Sequence, residues 1–213
     1  MELSLYHLVR QPEVQQEKSP LLVLLHGYGS NEEDLFSFAA QLPDEYLIIS
    51  VRAPYTLPGY GFAWYAIDFD ADMNKFTDDV QAVQSRNLIA KFIDEVVGAY
   101  PVDKENVTLI GFSQGAILSY AVSLTYPQKI SRVAALSGYL HNTIIGNVNS
   151  EKLNKLRFFV SHGVVDQVIS VDWARKAPEF LKTLGLDVEY HEYNAGHGVA
   201  PQNFYDLLNW LNK

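Results

Sequence analysis

Residues 107–115 read VTLIGFSQG, and this stretch is the strongest indication of the fold class. Residues 107–110 form a short apolar run that predicts a buried strand, and residues 114–126 have a helical pattern. Glycines on both sides of Ser113 are typical of a tight strand-to-helix turn that lifts the serine hydroxyl away from the sheet. The same turn places the Gln114 N–H at a helix N-terminus, where a developing oxyanion is stabilised. The alternative is a serine that only caps the helix.

On either side of this stretch the chain alternates short apolar runs with helical patterns. We predict further strands at residues 3–9, 21–25, 46–51, 130–136, 157–161 and 188–193. We predict helices after a capping box at residues 30–33, and at residues 77–100, 171–184 and 204–211, with Pro178 marking a kink or a late start of the third. This order predicts one α/β domain over residues 1–213, with a mostly parallel sheet covered by helices on both faces. Ligands of such sheets lie beyond the carboxyl ends of the strands.

Composition excludes several classes of function. The chain has 213 residues, a net charge of −9 and no cysteine. A surface this acidic is poorly suited to nucleic acid, and a chain without cysteine has no disulfide, no Cys-ligated metal and no thiol nucleophile. We find no pattern of a signal peptide and no apolar run of membrane-spanning length, so we expect a cytoplasmic protein without a membrane span.

A serine hydroxyl needs a base, and the base needs an acceptor for its other ring nitrogen. His197 lies between two glycines after the predicted strand 188–193, in a loop that can reach Ser113. Asp166 is the first acid after the predicted strand 157–161, whereas Asp172 has a ready role at a helix N-terminus. The order Ser113, Asp166, His197 is the order expected of an α/β-hydrolase.

A second oxyanion donor is expected after the predicted strand 21–25, where residues 26–29 read HGYG. The Tyr28 N–H is the best candidate there, beside that of Gln114, although a plain glycine turn would have the same spelling. His26 and His162 each precede a glycine at a strand end, and we expect both to hydrogen-bond loop backbone near the site.

Residues 55–76 are rich in aromatic side chains and lie between a strand end and a long helix. A loop of this length is often a lid or a binding loop, and aromatic side chains suit an apolar acyl group. We therefore predict a short lid-like loop with substrate contacts at Trp64 and Tyr65, and a further contact at Val168. The alternative is that these aromatics only pack the loop onto the body of the protein.

Five motifs taken together resemble the phospholipase/carboxylesterase family, which includes acyl-protein thioesterases and small bacterial carboxylesterases. They are LHGYG at 25–29, GFSQG at 111–115, LSGYL at 136–140, HGVVDQVI at 162–169 and GHG at 196–198. The resemblance implies a catalytic triad of Ser113, Asp166 and His197, an oxyanion hole at Tyr28 and Gln114, and neither cofactor nor metal. Tyr28 stands where a leucine is common, so its ring could narrow the acyl pocket.

The expected function is a serine carboxylesterase for small or medium acyl chains that acts through an acyl-enzyme. The alternatives are an acyl-protein thioesterase or lysophospholipase, an acyltransferase that uses the same acyl-enzyme, and a binding protein on the same fold. The expected partner is a small-molecule ester or thioester, and the resemblance makes a homodimer possible.

Overall fold

A mostly parallel sheet forms the centre of the structure, a computed structural model that describes residues 3–14, 16–69, 75–148, 153 and 156–213. Within these residues seven strands pair in the order β1-β3-β2-β8-β9-β10-β11. They are β1 (His7–Arg10), β2 (Ser19–Leu25), β3 (Leu47–Val51), β8 (Val102–Phe112), β9 (Arg132–Leu136), β10 (Arg157–Gly163) and β11 (Asp187–Tyr193). β1 is antiparallel to β3, and the other pairs are parallel. The predicted α/β-hydrolase architecture is confirmed.

Helices cover both faces of this sheet, as the sequence predicts. They are α1 (Glu33–Phe36), α2 (Asp79–Ala99), α3 (Gln114–Thr125), α4 (Val171–Thr183) and α5 (Pro201–Leu211). Side chains of α2, α3 and α4 belong to one hydrophobic core, and those of α1 and α5 belong to a second.

The central strands carry continuous apolar runs where both of their faces are buried, as at residues 21–25 of β2. In β2, Leu21, Val23 and Leu25 point into the first core, whereas Leu22 and Leu24 point into the second. Successive side chains of a strand point to opposite faces of the sheet, and here each face is covered by a hydrophobic core.

One helical prediction was wrong, and for another the structure excludes one of its two alternatives. The capping box predicted at residues 30–33 does not form, because the Glu33 N–H donates to the side chain of Asn31 at 2.8 Å instead. The helix that follows, α1, is only four residues long. A separate 3₁₀ turn follows at Ala39–Gln41. In the other case, α4 begins at Val171 and continues through Pro178, so the proline does not mark a late start.

The aromatic segment is built from two hairpins. β4 (Tyr55–Leu57) pairs antiparallel with β5 (Gly61–Ala63), and β6 (Ile67–Phe69) pairs antiparallel with β7 (Lys75–Thr77). The side chains of Phe69 and Phe76, which the sequence analysis counted among the aromatics, lie outside the described residues. Among the described helices, none combines the length and the apolar character needed to cross a membrane.

Candidate active site

Ser113 stands at a strained corner between β8 and α3. Its backbone has φ 53° and ψ −115°, a conformation that side chains rarely adopt and that is typical of a nucleophile elbow. The two flanking glycines are required by close backbone approach. A Cβ on Gly111 would lie 2.4 Å from the Gly115 carbonyl oxygen, and a Cβ on Gly115 would lie 2.0 Å from the Leu25 carbonyl oxygen.

His197 joins Ser113 to Asp166. Its Nε2 lies 2.9 Å from Ser113 Oγ, and its Nδ1 lies 2.7 Å from Asp166 Oδ2. Since a carboxylate only accepts hydrogen bonds, Nδ1 carries the proton and Nε2 is free to accept from the serine hydroxyl. The structure thus brings together the three side chains that the sequence singled out, in the arrangement of a base held between a nucleophile and an orienting acid.

The Asp166 carboxylate is surrounded by hydrogen-bond donors. Its Oδ1 accepts from the N–H groups of Val168 at 2.8 Å and Ile169 at 2.9 Å, and its Oδ2 accepts from His197. Burial by itself would raise the pKa of this carboxyl, but the bonds from Ile169, His197 and Val168 outweigh it and lower the pKa below its ordinary value. Asp166 is therefore ionised at neutral pH, as an acceptor for an imidazolium must be.

Gly163 allows the loops of Asp166 and His197 to meet. A Cβ at this position would lie 2.2 Å from the carbonyl oxygen of Ala195 and 2.3 Å from that of Gly196. Two backbone hydrogen bonds cross between the loops, from the Val164 N–H to Tyr193 at 2.8 Å and from the Val165 N–H to Ala195 at 3.2 Å. The loop of the acid and the loop of the base are thus bound directly to each other.

Tyr28 and Gln114, whose backbone N–H groups are the predicted oxyanion donors, both line the cavity beside Ser113. Among the described residues neither N–H has a hydrogen-bond acceptor. The loop of Tyr28 is held by the first hairpin, because the Gly29 N–H donates to the Phe62 carbonyl at 2.9 Å and the Phe62 N–H donates to the Ser30 carbonyl at 2.8 Å. Backbone donors held ready in this way are what an oxyanion hole requires.

His26 and His162 both hydrogen-bond loop backbone, as predicted. His26 is buried, its Nδ1 donates to the Gly27 carbonyl at 2.7 Å, and its Nε2 accepts from the Ala53 N–H at 3.1 Å. Burial lowers the pKa of His26, so the ring is neutral. His162 is buried as well, and its Nε2 donates to the Ile169 carbonyl at 2.8 Å and lies 3.2 Å from Asp166 Oδ2.

A cavity of about 280 Å³ opens beside Ser113 and His197. Its walls are mostly apolar and aromatic, and they include Tyr65 and Val168, two of the three side chains predicted to touch substrate. Tyr28 lies at the rim with 41% of its surface exposed. The remaining wall residues are Ile67, Thr77, Gln114, Ile117, Tyr139 and Ile169.

Trp64, the third predicted contact, does not reach this cavity. It is completely buried, and its indole N–H donates to the His26 carbonyl at 2.9 Å. The sequence placed Trp64 in an aromatic loop but could not say which side of the loop faces the body. Trp64 therefore packs the loop onto the body of the protein, which was the alternative prediction, whereas Tyr65 lines the cavity.

Sequence reasoning missed three features of the site. The Gln114 side chain bonds the backbone of Trp64 and Tyr65, Gly163 permits the contact of two loops, and His162 reaches the carboxylate of Asp166. Each belongs to a motif that was already recognised. The motifs contained these residues, but the groups that they contact are distant in sequence and come close only in the folded protein.

Comparison with known proteins places this site in a family. The family model described as Phospholipase/Carboxylesterase matches residues 8–213. The chain belongs to this family. It is 27% identical to acyl-protein thioesterase 1 of Mycosarcoma maydis over 230 aligned residues, which cover 97% of this chain and 95% of that protein. As a member of the phospholipase/carboxylesterase family, the protein is a serine hydrolase of the esterase and thioesterase type.

Solved structures agree with this assignment of the fold. A carboxylesterase of Bacillus cereus superposes with a TM-score of 0.85 at 21% identity, covering 98% of this chain and 94% of that one. Esterase PE8 superposes with a TM-score of 0.79 at 25% identity, covering 100% of this chain and 99% of its own. The α/β-hydrolase fold is therefore shared over the whole length of the described structure.

Proposed function

We propose that this phospholipase/carboxylesterase family member is a carboxylesterase that hydrolyses esters of small or medium acyl chains through Ser113, His197 and Asp166. The observation that carries the proposal is the position of His197, with one ring nitrogen 2.9 Å from the Ser113 hydroxyl and the other 2.7 Å from a carboxylate. Hydrogen-bond distances on both sides of an imidazole are the geometry of an activated nucleophile.

In the proposed reaction His197 Nε2 takes the proton of Ser113 as Oγ attacks the ester carbonyl carbon. The carbonyl oxygen becomes an oxyanion and accepts from the N–H groups of Tyr28 and Gln114. His197 then protonates the leaving oxygen, the acyl group stays on Ser113, and a water activated by the same ring releases the acid. Asp166 remains ionised and stabilises the imidazolium at each step.

Cavity size supports the choice of chain length. A water molecule occupies about 30 Å³ in the liquid and a methylene group is of similar size, so the space holds about nine such groups. The cavity measures about 280 Å³. A small or medium acyl chain fits inside it, whereas a palmitoyl chain is longer than the cavity can hold.

A thioesterase is the second candidate, because the relative from Mycosarcoma maydis is named an acyl-protein thioesterase and aligns with almost the whole chain. The same triad and oxyanion donors would serve a thioester, with sulfur as the leaving atom. A long palmitoyl chain and a protein leaving group would distinguish this activity from hydrolysis of small esters.

The test is hydrolysis of p-nitrophenyl esters from acetate to palmitate by the wild type and Ser113→Ala. We expect a maximum of kcat/KM at short or medium chains and a loss of about four orders of magnitude or more in the variant. Ser137→Ala is the matched control, since Ser137 is also buried and also has a positive φ, at the end of the neighbouring strand. A maximum at palmitate would favour the thioesterase, and full activity in Ser113→Ala would overturn the proposal.

A further inference from the structure

Trp64 is hydrogen-bonded to both of the loops that carry the proposed oxyanion donors. Its indole Nε1–H donates to the His26 carbonyl at 2.9 Å, two residues before Tyr28. Its backbone N–H donates to Gln114 Oε1 at 2.8 Å, and Gln114 carries the second donor in its own backbone. One residue therefore connects the segment after β2, which carries Tyr28, with the start of α3, which carries Gln114.

The position of Trp64 is itself firmly determined. Its side chain is completely buried, and its carbonyl oxygen accepts from the Ser85 hydroxyl on α2. The Gln114 amide that accepts from Trp64 also donates through Nε2 to the Tyr65 carbonyl at 2.8 Å. A shift of Trp64 would leave several buried polar groups without partners, which is unfavourable, so the connection between the two loops is stiff.

We infer that Trp64 is a positioning residue that sets the separation and direction of the Tyr28 and Gln114 N–H groups. The inference rests on the proposed function, because it assigns a task within the oxyanion hole. Such donors act by being held in place before charge develops, and small displacements of groups that meet only the transition state are costly. Trp64 does not line the cavity, so it would not touch a substrate bound there.

Trp64→Phe removes the indole N–H and keeps an aromatic ring in the core. We expect kcat to fall by about 10- to 100-fold while KM changes by less than about twofold, since the lost positioning matters mainly in the transition state. A trifluoromethyl ketone adds to the serine and leaves an oxyanion in the hole. Its inhibition constant should rise by the same factor by which kcat/KM falls.

Trp210→Phe is the matched control, because it is the same substitution at an equally buried position in the second core. Trp210 is 1% exposed and packs on Phe159 with ring centroids 5.8 Å apart, whereas Trp64 belongs to the first core. The two variants lose comparable packing. Trp210→Phe should lower Tm without changing kcat or the inhibition constant, which separates positioning from a general loss of stability.

Gln114→Met provides a second variant that keeps the backbone N–H and removes the acceptor for the Trp64 backbone N–H. It should lower kcat as Trp64→Phe does, and only kcat is compared, because the Gln114 side chain also lines the cavity. Combined with Trp64→Phe, its effect on kcat should be less than additive. Each substitution removes one hydrogen bond of the same series that runs from His26 through Trp64 to Gln114. Independent effects in this double-mutant cycle would contradict the inference.

Two further outcomes separate this inference from the proposed function. A wild type whose ester hydrolysis depends on Ser113, together with a Trp64→Phe variant of unchanged kcat and unchanged inhibition constant, would overturn the positioning role alone. Ester hydrolysis that persists in Ser113→Ala would overturn the proposed function and the positioning role together.

Discussion

The two sides of Ser113 are built on different principles. One side, called here the oxyanion side, carries the proposed oxyanion donors Tyr28 and Gln114. There α3 packs directly on the end of β2, so closely that a Cβ on Gly115 would lie 2.0 Å from the Leu25 carbonyl oxygen. On the acid–base side, more exposed loops are held by hydrogen bonds to the Asp166 carboxylate, and Val168 nearby is 60% exposed. The first side should therefore be sensitive to added volume, and the second to a change of charge.

The two His-Gly pairs at strand ends show the same contrast. His26, on the oxyanion side, has both ring nitrogens bonded to backbone groups of Gly27 and Ala53. His162, on the acid–base side, bonds the Ile169 carbonyl and also lies 3.2 Å from Asp166 Oδ2. The same dipeptide thus shapes a loop on one side and contacts a charged group on the other.

The largest effect is expected from Gly115→Ala, which tests the claim that close packing builds the oxyanion side. Its Cβ would overlap backbone atoms of Leu25 and His26 that cannot move independently of β2. We expect a loss of stability of about 3 kcal/mol or more and little folded protein, measured by thermal and urea unfolding.

Gly98→Ala on α2 is the control for this change, because a Cβ there meets nothing within 4 Å. It should leave the fold intact and add about 0.5–1 kcal/mol of stability, since alanine is the better helix former. Equal unfolding curves for the two variants would contradict the comparison.

A smaller effect on the fold but a large one on activity is expected from Asp166→Asn. The amide oxygen can still accept from Val168 and Ile169, but the amide nitrogen would then donate to His197 Nδ1, which favours the wrong tautomer and does not stabilise an imidazolium. We expect kcat to fall by about 10⁴-fold with Tm nearly unchanged.

Asp172→Asn serves as the control, since Asp172 is the neighbouring acid in the exposed first turn of α4. It should keep wild-type kinetics with the same p-nitrophenyl ester. If Asp172→Asn lost activity and Asp166→Asn did not, Asp172 would be the acid of the triad and the assignment of Asp166 would be wrong.

The smallest effect is a pH dependence of stability that belongs to His26. Its folded pKa is lowered by burial, so the unfolded chain binds the proton more readily. The stability that His26 contributes is complete above the ordinary histidine pKa of about 6.5, and it is lost as pH falls below that value toward the folded pKa.

His26→Gln should flatten the decrease of Tm between about pH 7.5 and 5.5. A wild-type slope in His26→Gln would show that the pH dependence originates elsewhere.

Several features of this protein follow from local sequence patterns and could be predicted without the structure. The nucleophile elbow around Ser113, the apolar strands and the order of Ser113, Asp166 and His197 were all readable, because each depends on short-range patterns. A continuous apolar run such as β2 needs a core on both faces, and glycines flanking a serine need a tight turn. These patterns sufficed for the fold class and for the three candidate catalytic side chains.

The contacts between distant side chains, by contrast, depend on how the elements pack together and could not be predicted. Trp64 was expected at the substrate but lies behind the oxyanion loop, and the Gln114 side chain reaches Trp64 across fifty residues of chain. The predicted capping box is absent, and the helix at that place is only four residues long. The size of the cavity depends on wall residues from several segments that are distant in sequence. Such contacts are long-range packing choices among residues of similar chemistry, and local preference does not distinguish between them.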